Sequence, residues 1–135
     1  LGAWGTGSFE NDDVSDWKAE LMESEDLEFL EETITAVLDD EDEVEADAAS
    51  NALGAIELVA ALQGKPGGAL LREAEDEEEL AGWIRKHSGT AAHLMDRSKK
   101  ALDRIRQNSE LKELWEESED YSNWLKVLAE LESRL

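Results

Sequence analysis

The sequence of 135 residues contains no cysteine. Disulfides, thiolate nucleophiles and Cys-ligated zinc are excluded with it, because each needs a sulfur the chain lacks. Basic residues are scarce: 13 Lys and Arg stand against 35 Asp and Glu, for a formal net charge of -22. A surface of that sign repels phosphate backbones and attracts basic proteins at long range in low salt, so no nucleic acid is expected as a partner. No run approaches the roughly 18 apolar residues of a membrane span, and the start lacks the basic-then-apolar order of a secretory signal. No membrane association is expected, and the cytoplasm is the expected location. The two histidines, His87 and His93, lack the Glu three residues earlier and the second His at helical spacing that di-iron and zinc-protease sites use. Alternation of apolar and polar residues never persists over a strand's length, and no fixed-period repeat is present.

What remains is helical periodicity. The length and mass, 135 residues and 15.0 kDa, suit one domain spanning residues 1–135, with five Trp offsetting a modest aliphatic content. Val14, Trp17 and Leu21 share a face of a helix opened by Asn11, Asp12 and Asp13 and ending near Ser24. Leu27, Leu30, Ile34, Val37 and Leu38 predict a second helix from about Asp26, with Glu28, Glu31 and Glu32 outside. From about Val44 to Gln63 small residues alternate with Leu53, Ile56, Leu58, Val59 and Leu62; a helix apolar on most sides belongs at the centre. Gly64 is its expected C-cap, and Lys65-Pro66-Gly67-Gly68 cannot continue it. Asp76 with Glu79 reads as a capping box for a helix bearing Leu80, Trp83 and Ile84 and closed by Gly89. A helix over roughly Ala91 to Gln107 turns Leu94, Ala101, Leu102 and Ile105 inward, with Arg97, Lys100 and Arg104 along one outer stripe. Asn108 or Ser109 caps a segment with Leu111, Leu114 and Trp115, and a last helix carries Tyr121, Trp124, Leu125, Leu128 and Leu131. The expected fold is an all-α bundle of about six helices, with a Gly-rich N-terminal segment packed on it.

That segment, Gly2-Ala3-Trp4-Gly5-Thr6-Gly7-Ser8-Phe9-Glu10-Asn11-Asp12, sets two large aromatics among three glycines ahead of a helix start. Its expected role is structural: Trp4 and Phe9 plug gaps between helices, Gly5 and Gly7 permit positive φ or close backbone approach, and Trp17 follows on the first helix. Glycine amides beside a helix N-terminus could also bind an anion or peptide, but Asp12 and Asp13 oppose an anion there. With Asp16-Trp17, Leu62-Gln63-Gly64-Lys65-Pro66-Gly67 and Ser109 to Glu117, the opening resembles a family of small bacterial proteins, the domain-of-unknown-function family 4259, whose members begin Gly-Ala-Trp-Gly-x-Gly-x-Phe-x-Asn-Asp. The departure is Leu1, where the family has Met, and it bears only on where translation begins. The resemblance implies a fold assignment and a bacterial source, and it carries over no catalytic residue.

Charge divides the chain unequally. Residues 1–64 hold 19 acids and one base, hence -18, while the remainder holds 16 acids and 12 bases, hence -4. Between Glu23 and Asp47 there are 13 carboxylates and no Lys, Arg or His. Such a run ordinarily forms solvated faces and loops. Calcium would need the central Gly and ligand spacing that Asp39 to Asp47 lack. Glu25, Glu28 and Glu32 fall on one helical face at intervals of roughly 5 to 6 Å, near the spacing of phosphates along a strand, which admits mimicry of a nucleic acid. Between Arg85 and Arg106 lie seven of the 13 bases, against only Asp96 and Asp103. They are expected to face the acidic half or another subunit, with an acidic ligand as the alternative.

No catalytic, metal or cofactor site emerges; His93 with Ser88 or Ser98 lacks the flanking motif of a nucleophile. The leading expectation is a non-enzymatic interaction or regulatory protein, immunity- or antitoxin-like and monomeric or weakly homodimeric. It would engage a basic protein through Glu25, Glu28, Glu32, Asp39, Asp40 and Asp42. The competing expectation is a small-ligand binder or enzyme with an interhelical pocket lined by Trp17, Trp83, Trp115 or Trp124.

Overall fold

Leu30, Ile34 and Val37 recur at spacings of four and three, which places them on one side of a helix. In the computed structural model, which describes residues 19–23, 27–39, 43–65, 75 and 78–135, that helix is α1, Glu28–Asp39, and all three side chains are fully buried. Residues 19–22 are helical ahead of it and bring Leu21 into the same core. The elements that follow are α2 (Ala46–Leu62), α3 (Glu78–His87), a 3-10 turn (Ala92–Leu94), α4 (Met95–Gln107), α5 (Glu110–Glu116) and α6 (Tyr121–Ser133). The fold is all-α, as the periodicity predicts, and no strand occurs among the described residues.

The central position of the Ala-rich helix is the main architectural fact. Every residue of α2 from Ala52 to Leu62 is buried, and α1, α3, α4 and α5 pack around it. Ala49, Ala52, Ala55 and Ala60 keep the helix thin, so neighbours approach closely, while Leu53, Ile56, Leu58, Val59 and Leu62 fill the spaces between them. Each fully buried aliphatic side chain contributes roughly 1.5–3 kcal/mol relative to exposure. α1 packs on α4 as well as α2, and α6 packs on α4 and α5. Trp124 of α6 is almost wholly buried there, with the Tyr121 ring 6.1 Å from its own.

Helix ends are closed by recognisable devices. At the C-terminus of α2 the N–H of Lys65 donates to Ala60 O (2.9 Å) and that of Gly64 to Ala61 O (3.0 Å), the paired bonds of a Schellman motif. Gly64 sits at φ +87°, so it is the reversal residue just past Gln63, which is the C-cap itself. The N–H of Gly89, at φ +81° beyond α3, donates to Leu62 O (2.7 Å) and ties the ends of α2 and α3 together. Ser109 caps α5: its Oγ accepts from the Lys112 N–H at 3.0 Å and donates to Ile105 O at 2.7 Å.

Several boundaries differ from the sequence reading for physical reasons. Val44 does not begin α2, because its backbone forms an isolated parallel bridge with Ser109, donating to Asn108 O (3.3 Å) and accepting from Glu110 N–H (2.8 Å). The helix expected over 91–107 opens as a 3-10 turn before becoming regular at Met95. The Gly-rich opening, the helix start at Asn11 to Asp13, Trp17, and Asp76 of the expected capping box lie outside the described residues.

Candidate interaction surface

Glu28, Glu32, the adjacent pair Thr35 and Ala36, and Asp39 recur at three- and four-residue spacings, on the side of α1 away from Leu30, Ile34 and Val37. With Glu31 and with Arg97 of α4 they line an open cleft of about 620 Å³. Glu28, Glu32 and Asp39 are exposed, so three of the six acids expected to form a partner surface stand on one face. Glu25, Asp40 and Asp42 lie outside the described residues.

The basic stripe of α4 meets this helix from the side. Arg97 pairs with Glu31, both half exposed at 47% and 39%, and Arg104 donates to Leu38 O (3.3 Å) near the C-terminal end of α1, where the helix dipole favours a cation. Two of the cluster's seven bases therefore face the acidic half of their own chain. An exposed pair of this kind contributes little to stability, on the order of 0–1 kcal/mol, and it orients more than it holds.

Two further clefts are lined mainly by charged residues. Glu43, Glu110, Glu113, Leu114 and Glu117 line one of about 270 Å³, where the linker before α2 meets α5. Burial, a hydrogen bond to Glu113 and the repulsion of Glu113 and Glu110 together push the Glu43 carboxyl above its ordinary range, against the smaller pull of Lys112. Glu110 serves a structural purpose as well: its Oε2 accepts from the Ala46 N–H at 3.4 Å, placing negative charge at the N-terminus of α2. The other cleft, of about 530 Å³, lies between α4 and α6 and is lined by Lys99, Lys100, Asp103, Glu132, Ser133 and Leu135. Arg106 bridges Asp103 and Glu132 across it, the latter at 2.9 Å.

One group escaped the sequence reading altogether. Glu57, midway along α2, is buried with its side chain 6% exposed, and both its oxygens accept from Arg134, at 2.9 and 3.0 Å. The signal was available: Glu57 is the lone charged residue between Asp47 and Lys65, and a lone acid within an apolar run must find a cation once buried.

The described tryptophans are packing groups. Trp83, Trp115 and Trp124 are buried in the core, and none of them lines any of the three clefts; Trp17 lies outside the described residues. His87 is a helix-end residue but a buried one, its ring 4.5 Å from that of Trp83. Ser98 is fully buried with no hydrogen-bond partner for its Oγ, whereas His93 is exposed, so the two form no nucleophile–base pair. Among the described residues no three or more His, Asp or Glu gather as metal ligands, and no helix is long and apolar enough to cross a membrane.

A family model described as a domain of unknown function (DUF4259) matches residues 2–127 of the 135, and the chain belongs to that family. No curated protein and no solved structure matches it.

Proposed function

We propose that this chain is a non-enzymatic interaction or regulatory protein that engages a basic protein through the outer face of α1, in the manner of an immunity protein or antitoxin. The observation that carries the reading is the stripe of exposed carboxylates, Glu28, Glu32 and Asp39, set beside an open cleft on a helix whose opposite side is locked in the core. A fixed stripe of one sign steers a basic partner and sets its orientation, and the net charge of -22 extends that attraction. In this reading the protein is cytoplasmic and monomeric or weakly dimeric, since self-repulsion opposes association of like copies.

The test is charge reversal on the outer face. E32K/D39K should leave helicity and melting temperature nearly unchanged, while the complex with a basic partner dissociates at markedly lower salt than that of the unaltered chain. Partner binding that is indifferent both to E32K/D39K and to ionic strength would remove the proposal. Displacement of the partner by duplex DNA would instead favour mimicry of a nucleic acid.

A further inference from the structure

The two cations that α4 turns toward α1 are held in different ways. Arg104 donates to a backbone oxygen, Leu38 O, at 3.3 Å, whereas Arg97 donates to a side chain, the carboxylate of Glu31. The two contacts are seven residues apart on both helices, so α1 and α4 run side by side in one direction. The Arg104 contact is part-buried and ends on the helix backbone. The Arg97 contact is half exposed on both sides and ends on a full negative charge, which another cation can take. Among the described residues Arg97 is also the single cation lining the cleft of about 620 Å³, against the carboxylates of Glu28, Glu31, Glu32 and Asp39.

We infer that Arg97 is an internal competitor for the α1 surface: it holds Glu31 in the free protein and gives it up to a basic partner, which must bring several cations on one face. This rests on the reading that α1 is the partner surface. Exposed ion pairs exchange readily, because water and salt screen them and each contributes little. A lone cation that takes Glu31 from Arg97 trades one exposed pair for another and gains almost nothing. A segment with a row of Lys or Arg also meets Glu32 and Asp39, which are exposed and stand two turns apart, roughly 10 Å along the helix. Arg97 thus lowers the affinity for any cation and confines the surface to extended basic segments.

The experiment is binding of a fluorescent deca-arginine peptide, followed by anisotropy in low salt, to the unaltered chain, R97M, K126M and E32K/D39K. R97M and K126M change the net charge equally, but the exposed Lys126 stands on α6 and does not line the cleft. R97M should bind about threefold to tenfold more tightly than the unaltered chain, and K126M less than about twofold more tightly. In an E31Q background the advantage of R97M over K126M should fall at least about twofold, since the carboxylate that Arg97 holds is gone. Acetylarginine amide, a single cation, should shift the Glu31 resonances of R97M at least about twofold more than those of the unaltered chain. Equal gains in R97M and K126M, an advantage unchanged by E31Q, or equal shifts with acetylarginine amide would overturn the competitor and leave the α1 surface in place. Indifference of the peptide to E32K/D39K would instead remove the α1 surface, and the competitor with it. Because the Arg97–Glu31 pair is exposed, R97M should fold as the unaltered chain does; loss of helicity would make the pair structural and overturn the competitor.

Discussion

α1 and α2 lie against each other, both come from the acidic half of the chain, and they manage charge in opposite ways. α1 divides it by face: Leu30, Ile34 and Val37 point into the core while Glu28, Glu32 and Asp39 remain in water. α2 cannot do this, because helices surround it, so it divides charge by position along the axis. Glu45 and Asp47 stand at its N-terminus, where the dipole welcomes them, and Glu57 in the middle is paired with Arg134. Glu32 and Asp39 of α1 thus face solvent, whereas Glu57 inside α2 is buried and paired within its own chain.

That contrast can be broken in a graded series. Leu58→Ala removes a fully buried side chain of α2 and should cost about 2–5 kcal/mol, measured by urea unfolding. A loss under about 1 kcal/mol would mean that α2 is not the packed centre. Next comes one substitution made in two places. Ala55→Leu in α2 should cost about 1–3 kcal/mol by overpacking, whereas Ala36→Leu, exposed on α1, should stay within about 0.5 kcal/mol. Equal effects at the two positions would erase the distinction between a surrounded helix and a half-solvated one.

Smaller effects sharpen the electrostatic side. Arg97→Met, which breaks the exposed pair with Glu31, should change stability by no more than about 1 kcal/mol, and the change should vanish in 0.5 M salt. A large and salt-independent loss would show that α1 is pinned by charge rather than by its apolar face. Glu43 supplies a signed pH dependence. Its folded-state pKa is raised above the ordinary 4.5, so the folded protein holds the proton more tightly, and this contribution to stability is present at low pH and lost as pH rises through the raised value. Glu43→Gln should flatten the decline in melting temperature just above pH 4.5; superimposable profiles for the two proteins would remove the assignment.

Much of the fold was legible because it depends on local spacing. The inward sets Leu30–Ile34–Val37 and Leu94–Ala101–Leu102–Ile105 follow from the helical period, and the density of Ala and Leu between 44 and 63 marks a helix with no side to spare for water. Gly64 and Gly89 signal reversals through the one property that sets glycine apart, its tolerance of positive φ. The Val44–Ser109 bridge was not legible, since it joins residues far apart in sequence through backbone atoms that every residue type possesses. Burial of His87 was missed for a related reason: sequence places it at a helix end, but only packing puts the ring against Trp83. Of the acids expected at a partner surface, Glu28, Glu32 and Asp39 share one exposed face because a single helix carries all three.

The sequence by itself determined that the chain is helical, where most helices lie, which faces are apolar, and that charge is concentrated in the first half, because these follow from periods of a few residues and from composition. The tertiary structure alone decided which cation meets which anion from a different helix. Arg97 reaches Glu31 and Arg134 reaches Glu57 across separations of 66 and 77 residues. No local rule links such pairs; they meet because burying the apolar faces of α1, α2, α4 and α6 fixes the helices relative to one another, and the charges at their margins must then find partners or face water.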